Sequence, residues 1–236
     1  MTILQNVREQ LRKLPSGAVI TLDDFNNLNT SRAALAMALT RLTKEGEVRR
    51  LRRGLYLKPK TSRFGELPPT SDAMIAGLGL RGKKSYTSGL LAFNKLGLTT
   101  QVPNVLTLRG GSSNSSFKID GTKFEIKAGR SPKSKRDIPL MMILDSLREI
   151  KSIPDANLIE SIQILKKKIS EISKDQKVRL VSLSLVDKPM VRALLGAILD
   201  EMNPEITARL QQSLNMLTSY SLGETGLMFA KKWRIK

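Results

Sequence analysis

The stretch TSRAALAMALTRLTKEGEVRRLRRGLYLKP, residues 30–59, joins a capped helix to a basic hairpin through a glycine. Thr30 or Ser31 serves as N-cap, and Leu35, Ala38, Leu39 and Leu42 recur at helical spacing, so one apolar stripe runs to about Glu45. The opposite side carries Ala33, Met37, Thr40, Arg41 and Lys44, and Gly46 ends the helix. Two short β-prone runs follow around Gly54 and stop at Pro59. Val48 and Leu51 are three apart and cannot share one face of a regular strand, so a bulge or a strongly twisted ribbon is expected. Five cations, Arg49, Arg50, Arg52, Arg53 and Lys58, fall within ten residues.

Upstream, Ile3, Leu4, Val7, Leu11 and Leu14 mark a first helix that ends at LPSG, and Thr21 offers a cap for a short second helix from Leu22. Three helices and then a basic hairpin is the order of a winged helix-turn-helix, whose third helix enters the major groove of DNA while the wing lies on the backbone or minor groove. Ser31 and Arg32 stand at the helix N-terminus, where backbone N–H groups and the helix dipole favour phosphate. Thr40, Arg41 and Lys44 face outward. Arginine is the usual reader of guanine, and Met37 suits a thymine methyl or a domain contact. Arg49, Arg50, Arg52 and Arg53 complete the expected DNA-binding set, with Arg52 and Arg53 at the wing tip.

Past this domain (1–60), the proline-bearing residues 61–71 read as a linker. Residues 72–136 read as a mixed α/β unit: a helix from Ser71, apolar and β-prone pieces in KSYTSGLLAFNKLGL, and an Asp-Gly hairpin in KIDGTKF. Residues 137–236, entered through the basic RSPKSKRD, read as helical, with starts near Pro139, Asp155 and Lys188 and at Asn203-Pro204. The expected class is α+β, mainly α.

Charge points to the partner. The 236 residues carry a net charge of +19, concentrated in the first three fifths, and a field of one sign on that scale calls for an anion. There is no cysteine and no histidine, which removes disulfides, thiol nucleophiles, Cys/His zinc sites and imidazole bases. The expectation is a non-enzyme without metal or cofactor. MTILQNVREQLRKLP lacks an apolar signal core and no long apolar run follows, so a cytoplasmic protein without membrane contact is expected.

Two motifs compete. GLGLRG (77–82) matches a phosphate-binding glycine pattern, but that device needs a strand before and a helix after, and here a helix precedes. Asp120, Glu125 and Lys127 resemble the carboxylate–lysine set of metal-dependent nucleases, which is the alternative function. Asp120 also has a turn reason to precede Gly121. A basic RNA-binding or toxin-sequestering module is a third reading.

TSRAALAMALTRLTKEGEVRRLRRGLYLKPK resembles the winged-helix N-terminal domain of AbiEi-type antitoxins of bacterial type IV toxin–antitoxin and abortive-infection systems. YTSGLLAFNKLGLTTQVPN (86–104) is similar to the segment that follows in that family, and VRALLGAILDEM, LQQSLNMLTSYSLG and AKKWRIK resemble its C-terminal end. The resemblance implies a transcriptional autorepressor that binds inverted repeats upstream of its own operon, as cooperating copies or a homodimer. It also implies an antitoxin role against a nucleotidyltransferase toxin, contacted directly or not. The long helical second half departs from the family's general pattern.

Overall fold

In the computed structural model, which describes residues 2–77 and 85–236, α1 (Ile3–Lys13) begins with a capping box: Thr2 Oγ1 accepts from Gln5 N and the Gln5 side chain accepts from Thr2 N. β1 (Val19–Thr21) leads into a 3-10 segment, Leu22–Leu28, fixed at its start by Asp24, whose carboxylate accepts from Thr21 N at 2.8 Å. Asn29 turns the chain with φ 45°, a left-handed conformation that asparagine tolerates. Ser31 then caps α2 (Arg32–Lys44) by accepting from Ala34 N at 3.2 Å.

The stripe Leu35, Ala38, Leu39 and Leu42 closes over Val7, Leu11, Ile20, Phe25, Val48 and Tyr56 in one core. β2 (Arg49–Arg52) and β3 (Leu55–Leu57) pair antiparallel, with a register shift between Arg50 and Arg52. That shift is the irregularity required by the spacing of Val48 and Leu51. With β1 on the other side of β3, the sheet order is β1-β3-β2. This is a winged helix: the wing grows from the sheet and α2 lies across the core.

Residues 61–71 hold a second hairpin, β4 (Thr61–Ser62) with β5 (Gly65–Glu66), and the start of α3 (Ser71–Ile75), capped by Thr70. Of the glycine run 77–82, only Gly77 is among the described residues; the rest of that motif lies outside them. Gly77 packs on Val19 so closely that an added Cβ would meet its Cγ1 at 2.2 Å.

After β6 (Tyr86–Thr87), one expectation needs correction. The GLLAFNKL run, read as β-prone, is α4 (Gly89–Leu96). Short apolar runs do not distinguish helix from buried strand by periodicity. Leu91, Ala92 and Phe93 are buried together, and Gly97 terminates the helix at φ 79°, a conformation side-chain-bearing residues avoid. β7 (Val105–Arg109), β8 (Ser115–Ile119) and β9 (Thr122–Lys127) complete a four-stranded sheet in the order β6-β7-β9-β8, with Asp120 and Gly121, both at positive φ, turning β8 into β9.

The helices α5 (Asp137–Arg148), α6 (Leu158–Glu171), α7 (Lys174–Ser184), α8 (Pro189–Asp200) and the short α9 (Ala208–Gln212) build a second core. Pro189 takes the first helical position of α8 and a Ser173–Gln176 capping box separates α6 from α7. Beyond α9 the chain returns over α8. Trp233, buried, packs its ring closely against Gly196 and donates from Nε1 to Asp200 Oδ2 at 2.7 Å. A second buried carboxylate, Asp145 of α5, accepts from Tyr86 Oη at 2.9 Å and Ser88 Oγ at 2.7 Å and pairs with Arg109 and Arg148, so its charge is fully engaged.

Two compact units divide the chain: Met1–Lys84 with Ser116–Phe124, and Ser85–Ser115 with Glu125–Lys236. The fold is α+β and mainly α. Among the described residues no helix is long and apolar enough to cross a membrane.

Candidate nucleic-acid interface

One face of α2 is committed to the core; its opposite face opens on a shallow groove of about 550 Å³ lined by Ala36, Met37, Thr40, Arg41 and Lys44. Met37 is 74% exposed, a cost for an unbranched apolar side chain that packing does not repay. Thr40 Oγ1 donates to Ala36 O at 2.7 Å, which leaves its lone pairs outward as an acceptor. Arg41 reaches Glu45 at 3.4 Å across one helical turn but stays 71% exposed, so its guanidinium fork is available. Lys44 is exposed with no ion pair among the described residues.

At the helix start, Ser31 and Arg32 have other partners. Ser31 is occupied as the cap, and Arg32 pairs with Asp23 at 2.7 Å, both groups being largely exposed. A pair of this kind exchanges readily for a phosphate.

The wing divides its cations by role. Lys58 donates from Nζ to Leu11 O at 2.8 Å and Leu14 O at 2.6 Å, satisfying carbonyls at the end of α1. Arg49 binds Glu66 through Nε at 2.8 Å and Asp120 through both terminal nitrogens at 2.7 and 2.9 Å. That double engagement holds the guanidinium charged and draws the Asp120 carboxyl below the usual carboxylate range. Arg49, expected among the DNA contacts, is therefore an internal fastener joining the wing to two other hairpins.

Arg50 and Arg53 are exposed and make no ion pair among the described residues. Arg52, also exposed, lies 5.0 Å over the Phe117 ring, itself stacked on Phe124 with centroids 5.4 Å apart. An aromatic platform restricts the guanidinium without neutralising it. Of the helix and wing cations, Arg41 and Lys44 on the helix and Arg50, Arg52 and Arg53 on the wing are thus left to meet an anion, with Arg32 available by exchange.

Residues 6–181 match the model of a family of unknown function, DUF6088. The chain belongs to DUF6088. No curated protein matches it. Among solved structures, the DUF6088 chain is similar to the crystal structure of the RV2827C protein from Mycobacterium tuberculosis, at 12% sequence identity and a TM-score of 0.54, over 98% of this chain and 89% of that one. At this identity the likeness bears on the fold alone.

The carboxylate–lysine set of the DUF6088 chain is divided in its engagements. Asp120 sits in the β8–β9 turn, held bidentately by Arg49, while Glu125 and Lys127 follow on β9. Among the described residues no group of three or more His, Cys, Asp or Glu is placed to hold a metal ion. Sequence reasoning passed over Phe117 and Glu66, which position Arg52 and Arg49. The Arg49 partners lie 17 and 71 residues away, and no local pattern announces them.

Proposed function

We propose that this protein is a sequence-specific double-stranded-DNA-binding transcriptional repressor that acts on inverted repeats upstream of its own operon. The observation that carries this reading is the exposed α2 face, where two cations, Arg41 and Lys44, and the Thr40 hydroxyl border apolar Ala36 and Met37, in the helix that a winged helix places in the major groove. Arg50, Arg52 and Arg53 hold the backbone and set register, while Arg41 and Thr40 meet base edges. Two copies on an inverted repeat present two such helices. The same chain serves as antitoxin to a nucleotidyltransferase toxin encoded beside it, a role supported by the resemblance of its central and C-terminal segments to AbiEi-type antitoxins. A repressor and antitoxin of this kind works in the cytoplasm.

Titration against a labelled fragment of its own upstream region and a shuffled duplex, at several salt concentrations, tests the repressor. A preference of about a thousandfold or more at physiological salt is expected, and equal affinity for both overturns it. Co-expression with the adjacent reading frame tests the antitoxin role: growth is rescued if the role holds, and a harmless neighbour or a failed rescue removes it.

A further inference from the structure

The hairpin after the wing carries an aromatic–cation pair that the helix-and-wing contacts leave unused. Its tip is Ser62, Arg63, Phe64 and Gly65. Ser62 Oγ donates to Gly65 O at 3.1 Å and accepts from Phe64 N at 3.2 Å, while Gly65 adopts φ 110°, open to glycine alone. The tip is therefore internally braced. Phe64 is nevertheless 85% exposed, and the Arg63 guanidinium lies 4.7 Å over its ring. A phenyl ring in that position adds almost nothing to folding, because it removes almost no apolar surface from water.

The placement of this ring is specific. Glu66, two residues on, is fastened to Arg49 of the wing strand β2 at 2.8 Å. At about 3.3 Å per strand residue, Phe64 and the wing tip at Arg53 lie within roughly 30 Å, less than one turn of B-DNA. Arg63 and Gly65 flank Phe64, Glu66 is engaged by Arg49, and the cation on the ring is Arg63, with Leu67 the other exposed large apolar side chain of this stretch. A protein-docking patch needs contiguous apolar area. A lone aromatic flanked by arginine suits a stacked base beside a phosphate.

We infer that Arg63 and Phe64 form a second DNA-contact site, in which the Phe64 ring wedges against a base step from the minor groove and Arg63 holds the adjacent phosphate. This rests on the DNA-binding reading above. The helix and wing read and grip the duplex; the second hairpin deforms it, which adds preference for flexible pyrimidine–purine steps at positions that α2 does not touch.

The test uses the full chain and a duplex carrying 2-aminopurine at steps within one turn of the half-site, with the variants Phe64→Ala, Phe64→Trp and Arg63→Ala. An exposed residue leaves the melting temperature unchanged, which separates binding from folding. The unaltered chain and Phe64→Trp raise 2-aminopurine fluorescence at one step. Phe64→Ala abolishes that rise and weakens binding about tenfold, the scale of one base stacked on an aromatic ring, without altering the salt dependence. Arg63→Ala lowers the salt slope by about one. If the chain binds its upstream fragment specifically and Phe64→Ala changes neither affinity nor fluorescence, the wedge is overturned while the repressor stands. Loss of a protein partner by Phe64→Ala with DNA binding intact overturns it equally. If the unaltered chain prefers no duplex, the repressor reading falls and takes the wedge with it.

Discussion

Arg49 and Arg53 stand four residues apart on one basic ribbon, and their surroundings give them opposite work. Arg49 is held by Glu66 and by both oxygens of Asp120. Arg53 is exposed with no acidic partner among the described residues. Arg49→Ala therefore lowers the melting temperature by a few degrees, a loss on the order of 1 kcal/mol for a half-exposed network. Arg53→Ala leaves the melting temperature unchanged and reduces the salt dependence of DNA binding by about one unit of slope. Melts and salt titrations of both variants separate fastener from contact; a fall in stability with Arg53→Ala and none with Arg49→Ala reverses the assignment. Gly196 is a third residue with a single reason for its identity. An added Cβ would lie 2.2 to 2.6 Å from the Trp233 ring, so Gly196→Ala forces the indole off α8 and costs about 1–3 kcal/mol. Trp233 is the single tryptophan of the chain, and its fluorescence during urea unfolding reads that loss directly.

At the scale of elements, α2 has one face buried in the core and an exposed opposite face that we propose meets DNA. Arg41→Ala erodes discrimination between the upstream fragment and a shuffled duplex by about 1–3 kcal/mol, while affinity for the shuffled duplex changes little. Competition binding with both duplexes checks this; an equal loss on both assigns Arg41 to the backbone. The face was legible because its signals are local: the Ser31 cap, the 3.6-residue stripe and the glycine stop all lie within the helix and its ends. The bulge was legible for the same reason, since Val48 and Leu51 conflict within one strand. The Asp-Gly turn and Pro189 at the start of α8 also carry their conformation in their own covalent geometry. What escaped were facts set by distant residues. The run GLLAFNKL is short and apolar enough for either structure, and its helix is settled by burial of Leu91, Ala92 and Phe93. The role of Arg49 was hidden because its charge looks like that of its neighbours and its partners are remote in sequence. A charge run announces a basic surface; only the fold says which members remain free.

At the scale of the whole molecule, the absence of histidine governs the response to pH. The chain lacks the side chain that ordinarily changes charge between about pH 5 and 8, so stability should vary little there. Below that range four depressed carboxyls matter: the exposed Glu205, held down by its hydrogen bond with Lys174, and three others. Arg49 holds Asp120 down, and Arg179 does the same for Asp137, which also accepts from the backbone of Ser134 and Lys133. Burial works against the charge of Asp200, but Lys232, Trp233 and Thr207 together keep its carboxyl below the usual range. A carboxyl depressed in the folded state binds protons more readily once the chain unfolds. Its contribution is complete above the unfolded value, near pH 4, and is lost as the pH falls through the lower folded value. Protonation also removes negative charge from a chain already at +19, and that self-repulsion acts in the same direction. Urea midpoints measured from pH 8 to pH 3 should therefore run flat to about pH 5 and then fall. Asp137→Asn, which removes one of these carboxyls, lowers the plateau and makes the acid limb shallower. A midpoint that instead rises on acidification would mean that these carboxyls are held above, not below, their unfolded values.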